Sequence, residues 1–317
     1  MDDRRSPLLG SFTVVVAACL FAMLGVLSRI AYDQGLTPYA FVTWRSGVAA
    51  LAVAVLVLVS LRRGRRLVGW RSLTSRDRVA LGVAALMGAS LDVTMFLAFA
   101  RVPVAIVLLC FYLFPAMVAV GSALLGWERI DRPRAMALVI ALVGMVAVVI
   151  GGEGAGALGG LDPVGVLLAI GSALSQAVFV LVARRGYREV PTDQAMTFIL
   201  TVSASIATLL AFAAGALSSV WLPFSSPSLL GLLVFTGVVA AGVPSFLFLA
   251  GIRWIGGVKA GILMLAQAPL AVALAAIFLH ESIGPVQIAG GVGILAAAFI
   301  IQRAPAPDAS AVAAAAS

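Results

Sequence analysis

Apolar blocks of about twenty residues, divided by short polar or Gly/Pro-rich punctuation, run through nearly the whole chain. A helix that crosses the hydrocarbon core of a bilayer needs about 20 mostly apolar residues, each rising about 1.5 Å. On that measure the pattern predicts helices over residues 11–31, 39–60, 79–100, 103–125, 134–151, 163–183, 193–217, 228–250, 256–279 and 285–302. The tight connection at Arg101-Val102-Pro103 separates two of them. The expected fold class is therefore all-α integral membrane, with ten transmembrane helices.

The distribution of Lys and Arg orients this array. Cytoplasmic loops carry the excess of basic residues. With the N-terminus inside, the termini and even-numbered loops hold 18 of the 21 Lys and Arg, leaving Arg29, Arg45 and Arg101 towards the outside. One missed helix would invert the alternation halfway along the chain. It does not invert, so both termini are expected to be cytoplasmic. Trp70, Trp127 and Trp254 fall near the basic inner loops and Trp44 and Trp221 near the outer ends, where interfacial anchoring accounts for them.

Composition agrees. The chain is 62% hydrophobic and 11% charged, against about 25% charged for soluble domains. Its net charge of +8 is spread over short loops, not gathered on a soluble basic face, so nucleic acid is not an expected partner. Cys19 and Cys110 lie inside apolar runs and act as small hydrophobes. Val16-Ala17-Ala18-Cys19 imitates a lipoprotein cleavage box, but the apolar run continues through Leu27, so an uncleaved helix is expected.

The chain also repeats itself at an offset of about 152–155 residues. Leu97-Ala98-Phe99-Ala100-Arg101 aligns with Leu249-Ala250-Gly251-Ile252-Arg253. Tyr112-Leu113-Phe114-Pro115, Glu128 and Pro133 align with Ala266-Gln267-Ala268-Pro269, Glu281 and Pro285, and Arg29 and Tyr32 with Arg184 and Tyr187. Five helices per half is an odd number, so the halves enter the membrane from opposite sides: two inverted five-helix repeats. Transporters commonly place a midplane substrate site between such halves. The expected units are 8–151 and 163–303, followed by an Ala/Pro-rich tail, 304–317, expected to be disordered.

Tyr112-Leu113-Phe114-Pro115 with Leu125-Gly126-Trp127-Glu128-Arg129, and Pro269 with Phe278-Leu279-His280-Glu281, give the chain its resemblance to a known family. Over residues 8 to about 303 it resembles the drug/metabolite transporter superfamily, and within it the two-repeat EamA-type transporters of bacteria. It departs from the usual Leu-Gly-Glu ending by an inserted Trp127 and by His280 in place of Gly. The resemblance implies a central cavity lined by helices 1, 3, 4, 6, 8 and 9. It also implies small organic substrates, often exported amino acids, and the inner (plasma) membrane of a bacterium. No cofactor is implied, and the expected assembly is a monomer or weak homodimer.

An ionisable residue at membrane depth is a functional candidate by default. Asp92, mid-helix, could bind a substrate ammonium group or carry a coupling proton; as a structural acid it would pair with a hydroxyl or with Arg45. Phe96 shares its face at helical spacing, with Met95 and Phe99. Tyr112 and Phe114 precede Pro115, which cannot donate the expected helical hydrogen bond and should kink its helix. Gln267 precedes Pro269, and Gln176 lies one turn from Ser172 and near Phe179. With Phe21 of the first helix, these form the candidate substrate-binding set, each weighed against ordinary packing or helix-to-helix hydrogen bonding. Arg45 is expected to snorkel to the outer interface, Glu128 and Glu281 to end helices, and His280 to stand at the outer interface. Gly154-Ala155-Gly156-Ala157-Leu158-Gly159 spells a dinucleotide fingerprint without the strand such a site requires. The competing reading is a membrane-embedded enzyme acting on a lipid-linked substrate, which would need a cluster of intramembrane catalytic groups.

Overall fold

The computed structural model describes residues 7–102, 104–127, 131–150, 162–279 and 284–303. Their regular structure is helical throughout, as apolar surroundings require of a backbone that must satisfy its own hydrogen bonds. The helices are α1 (Pro7–Phe21), α2 (Leu24–Asp33), α3 (Pro38–Arg62), α4 (Ser75–Phe99), α5 (Val104–Phe111), α6 (Phe114–Leu124) and α7 (Arg132–Ile150). Then follow α8 (Pro163–Arg185), α9 (Thr192–Ala213), α10 (Leu217–Trp221), α11 (Pro227–Phe235), α12 (Val243–Ile255), α13 (Gly257–Met264), α14 (Gln267–Leu279) and α15 (Pro285–Arg303). Among the described residues seven stretches are long and apolar enough to cross a membrane, and Gly257–Ala271 and Pro285–Ile301 are shorter apolar helices.

Local sequence explains where these helices start. Thr37, Asp162 and Ser226 each accept a backbone N–H of the first turn, and each is followed by a proline whose missing N–H costs nothing there. Thr74 caps α4 in the same way, accepting from Asp77 N.

Four interruptions depart from the uniform helices that hydropathy predicts. The span expected at 11–31 is broken at Ala22 and Met23, where the amide of Met23 reaches back three residues to Leu20 instead of four. The span at 103–125 breaks at Tyr112 and Leu113, and the span at 256–279 at Leu265 and Ala266. Between α11 and α12 a wider π-helical turn runs through Thr236–Gly242. There a Cβ on Gly237 would lie 2.6 Å from a Val48 methyl, so the glycine permits the close approach of α3. The helix predicted at 193–217 ends at Ala213, because Gly215 takes a left-handed conformation and α10 starts afresh.

Packing follows a two-fold pattern that exchanges the halves. α3 lies along its counterpart α9, and α7 along its counterpart α15. α4 packs on α8 as α1 packs on α12, and α6 packs on α8 as α1 packs on α13. The α7–α15 crossing brings backbones together: a Cβ on Gly144 would stand 2.7 Å from the Gly290 carbonyl oxygen, and one on Gly290 closer still to that of Gly144. Such small-residue crossings associate helices where lipid removes the hydrophobic drive. One apolar cluster, with members from α1, α6, α8, α12 and α13, occupies the middle of the bundle.

Candidate functional site

Three of the helix breaks adjoin this central cluster. Phe21, the last residue of α1, packs against it at the first break, and Tyr112 and Phe114 flank the second. Leu265 and Ala268 border the third, where α14 opens on Gln267. Pro115 offers no N–H to the Phe111 carbonyl, and Pro269 none to that of Leu265. Leu265 O accepts instead from Ala268 N at 3.1 Å. The breaks of α5–α6 and α13–α14 lie at corresponding places of the two halves, and their helices touch: the nearest atoms to a Cβ on Gly261 would be those of Pro115 and Phe114, at 3.3 and 3.4 Å.

Tyr112 is fully buried, and its hydroxyl has no hydrogen-bond partner. An unsatisfied buried hydroxyl costs about 1–3 kcal/mol. Its ring packs on Phe111 at 5.4 Å, and Phe111 in turn on Phe114 at 5.2 Å. Phe179 of α8 joins the same cluster, with Gln176 buried one turn earlier on that helix and Gln267 buried at the head of α14. Phe21, Tyr112, Phe114, Gln176, Phe179 and Gln267 are thus buried or partly buried on the helices that carry the central cluster.

Asp92 and Phe96 lie elsewhere, at the junction of α3, α4 and α9. One Asp92 oxygen meets the Arg45 guanidinium in an ion pair. The other accepts from Ser203 Oγ at 2.6 Å and Ser46 Oγ at 3.3 Å. Arg45 does not snorkel: its side chain is 5% exposed and its guanidinium lies 5.2 Å from the centre of the Phe96 ring. A salt bridge to Asp92 outcompetes a reach to the interface, because an unpaired carboxylate at this depth would cost several kcal/mol. Phe96 continues into an aromatic row with Phe41 at 5.0 Å and Tyr32 beyond it, while Phe99 packs on its other side at 5.6 Å.

Two charged features escaped the hydropathy reading. Asp193, in the first turn of α9, is buried and pairs with Arg65 of the α3–α4 loop. Arg253, in the last turn of α12, donates to Val190 O at 2.9 Å, Thr192 Oγ1 at 3.2 Å and Tyr187 O at 3.2 Å. It lies 5.1 Å from the centre of the buried Tyr187 ring, whose hydroxyl burial pushes well above the ordinary tyrosine range. In sequence only their place beside the basic loops marks these residues. Glu128, Arg129, Pro103, His280, Glu281, the Gly154–Gly159 run and the 304–317 tail fall outside the described residues.

Comparison with known proteins places this architecture. The family model of the EamA-like transporter family matches residues 8–150 and again 163–303. A solved crystal structure, described only as that of a protein, is similar at 21% identity with a TM-score of 0.74. The similarity covers 92% of this chain and 94% of that one, and at this identity it concerns the fold. No curated protein matches the sequence. Matched twice over most of its length, the chain is a multi-pass membrane protein that belongs to the EamA-like transporter family.

Proposed function

We propose that the chain is a secondary transporter that exports amino acids or related small metabolites by alternating access. In this reading it crosses the membrane ten times, as α1–α2, α3, α4, α5–α6, α7, α8, α9, α11–α12, α13–α14 and α15. The halves are inverted, and both termini face the cytoplasm of a bacterial cell as a monomer or weak homodimer in the inner membrane. The exchange of halves in the packing and the basic inner loops support that topology.

The observation that carries the reading is the pair of helix breaks at corresponding positions, with the unpartnered Tyr112 hydroxyl at one and Gln267 at the other. Interrupted helices near the bilayer midplane are where transporters of this architecture hold polar substrates. Tyr112, Gln176 and Gln267 would then meet the polar groups of the substrate, and Phe21, Phe114 and Phe179 its apolar part. The Tyr112 hydroxyl, costly while it has no partner, gains one when the substrate arrives.

For Asp92 three donors from α3 and α9 favour a different part, that of a staple joining three helices. Binding a substrate ammonium or a coupling proton there would require parting it from Arg45. Uptake of labelled amino acids into inverted membrane vesicles, with and without a pH gradient, tests the reading. Accumulation that depends on the protein is expected. A pH gradient that leaves the rate unchanged would remove proton coupling, and absence of uptake across a broad metabolite panel would remove export.

A further inference from the structure

The loop between α3 and α4 carries charge beyond what orientation needs. Seven arginines fall between Arg62 and Arg78, and Asp77 is the one acidic residue among them. Asp77 is already engaged, accepting from Tyr187 N at 3.1 Å, Thr74 Oγ1 at 2.7 Å and Thr74-capped backbone at its own amide. Arg62, Arg63, Arg66, Arg71 and Arg76 are exposed.

The loop is also held in place. Gln194 of α9 grips Val68 from both sides, accepting from its N–H at 3.1 Å and donating to its carbonyl at 2.6 Å. Arg65 pairs with Asp193, which also accepts from Ser60 Oγ at 3.4 Å. The Trp70 ring packs on Phe198 at 5.9 Å. Arg65 therefore serves as a clip, while its five exposed neighbours have no such duty. Leu67 and Trp70 remain 54% and 49% exposed beside them. A tethered backbone loses little freedom when its arginines meet a partner.

From these observations we propose that the 62–76 loop is a docking surface for anionic phospholipid, its exposed arginines holding headgroup phosphates while Leu67 and Trp70 enter the interface. The loop joins two helices at the membrane surface, so the partner must lie at headgroup level. Clustered arginines with an aromatic anchor, next to a spanning helix, match the phosphodiester and acyl boundary in charge and in polarity. Zwitterionic lipid offers the same phosphate, but its own ammonium cancels the charge. This inference rests on the membrane placement of the chain alone and does not depend on what is transported.

The test is thermal unfolding of the purified full chain in neutral detergent, with phosphatidylglycerol or phosphatidylcholine added. Phosphatidylglycerol is expected to raise the midpoint by several degrees more than phosphatidylcholine, and high salt to shrink that difference. The variant R62Q/R63Q/R66Q/R71Q should match the wild type in phosphatidylcholine and lose at least half of the phosphatidylglycerol shift. If that variant does not fold, R66Q/R71Q serves, with native mass spectrometry counting bound phosphatidylglycerol against phosphatidylcholine. Equal stabilisation by the two lipids, or a full shift and unchanged lipid count in the glutamine variants, would overturn the proposal.

Discussion

At the scale of single residues, Asp92 divides two accounts that one measurement separates. A carboxylate held for a ligand leaves a folded but inactive protein when replaced. A staple leaves Arg45 as a buried, unpartnered charge, and breaking such a pair costs about 3–5 kcal/mol. The geometry predicts that Asp92→Asn lowers the unfolding midpoint markedly and that the double variant Arg45→Met/Asp92→Leu recovers much of the loss; a stable but transport-dead Asp92→Asn would speak for the ligand role. Tyr112 gives the opposite signature. Removing its orphaned hydroxyl in Tyr112→Phe is expected to leave stability unchanged or raise it by about 1 kcal/mol, while transport of a polar substrate falls. At the outer rim Arg101 donates to Asp162 at 3.0 Å, and with the Val164 amide it holds the Asp162 carboxyl below its usual range. A depressed carboxyl stabilises the fold above its unfolded value of about 3.9 and loses that contribution as pH falls through the folded one. Asp162→Asn should therefore narrow the gap in stability between neutral pH and pH about 3, without shifting stability between pH about 6 and 8.

Among the elements, the caps and prolines that start the helices are readable from sequence, and so is the kink before Pro115. The break at Ala22 and Met23 is not, because no proline marks it. The π-helical turn after α11 answers to α3 pressing on Gly237, a contact between residues far apart in the chain. The Arg45–Asp92 and Arg65–Asp193 pairs also join separate helices or loops, so a reading of each apolar block alone sees a buried acid and a snorkelling arginine. Of the candidate site, the residue types at the two proline breaks were legible in the repeat. What separated them from Asp92 and Phe96 was the packing of α3 and α9. The glycine crossing of α7 and α15 yields a prediction of its own. Gly290→Ala should destabilise the protein strongly, since its Cβ meets the Gly144 carbonyl. Gly171→Ala, with nothing within 4 Å of its Cβ, should be neutral or gain up to about 1 kcal/mol from helix propensity.

For the whole molecule, membership of the EamA-like transporter family and the two-fold packing of its halves fit one architecture, in which paired breaks face each other across the bundle. The direct test of the central claim is counterflow in proteoliposomes: purified protein, reconstituted with one unlabelled metabolite inside, exposed to traces of the same metabolite labelled outside. The account predicts transient accumulation for at least one amino acid or related compound, lost in Tyr112→Phe and Gln267→Ala proteins that unfold at wild-type temperature or above. Counterflow that both variants leave unchanged, or none across a broad panel with well-folded protein, would contradict it.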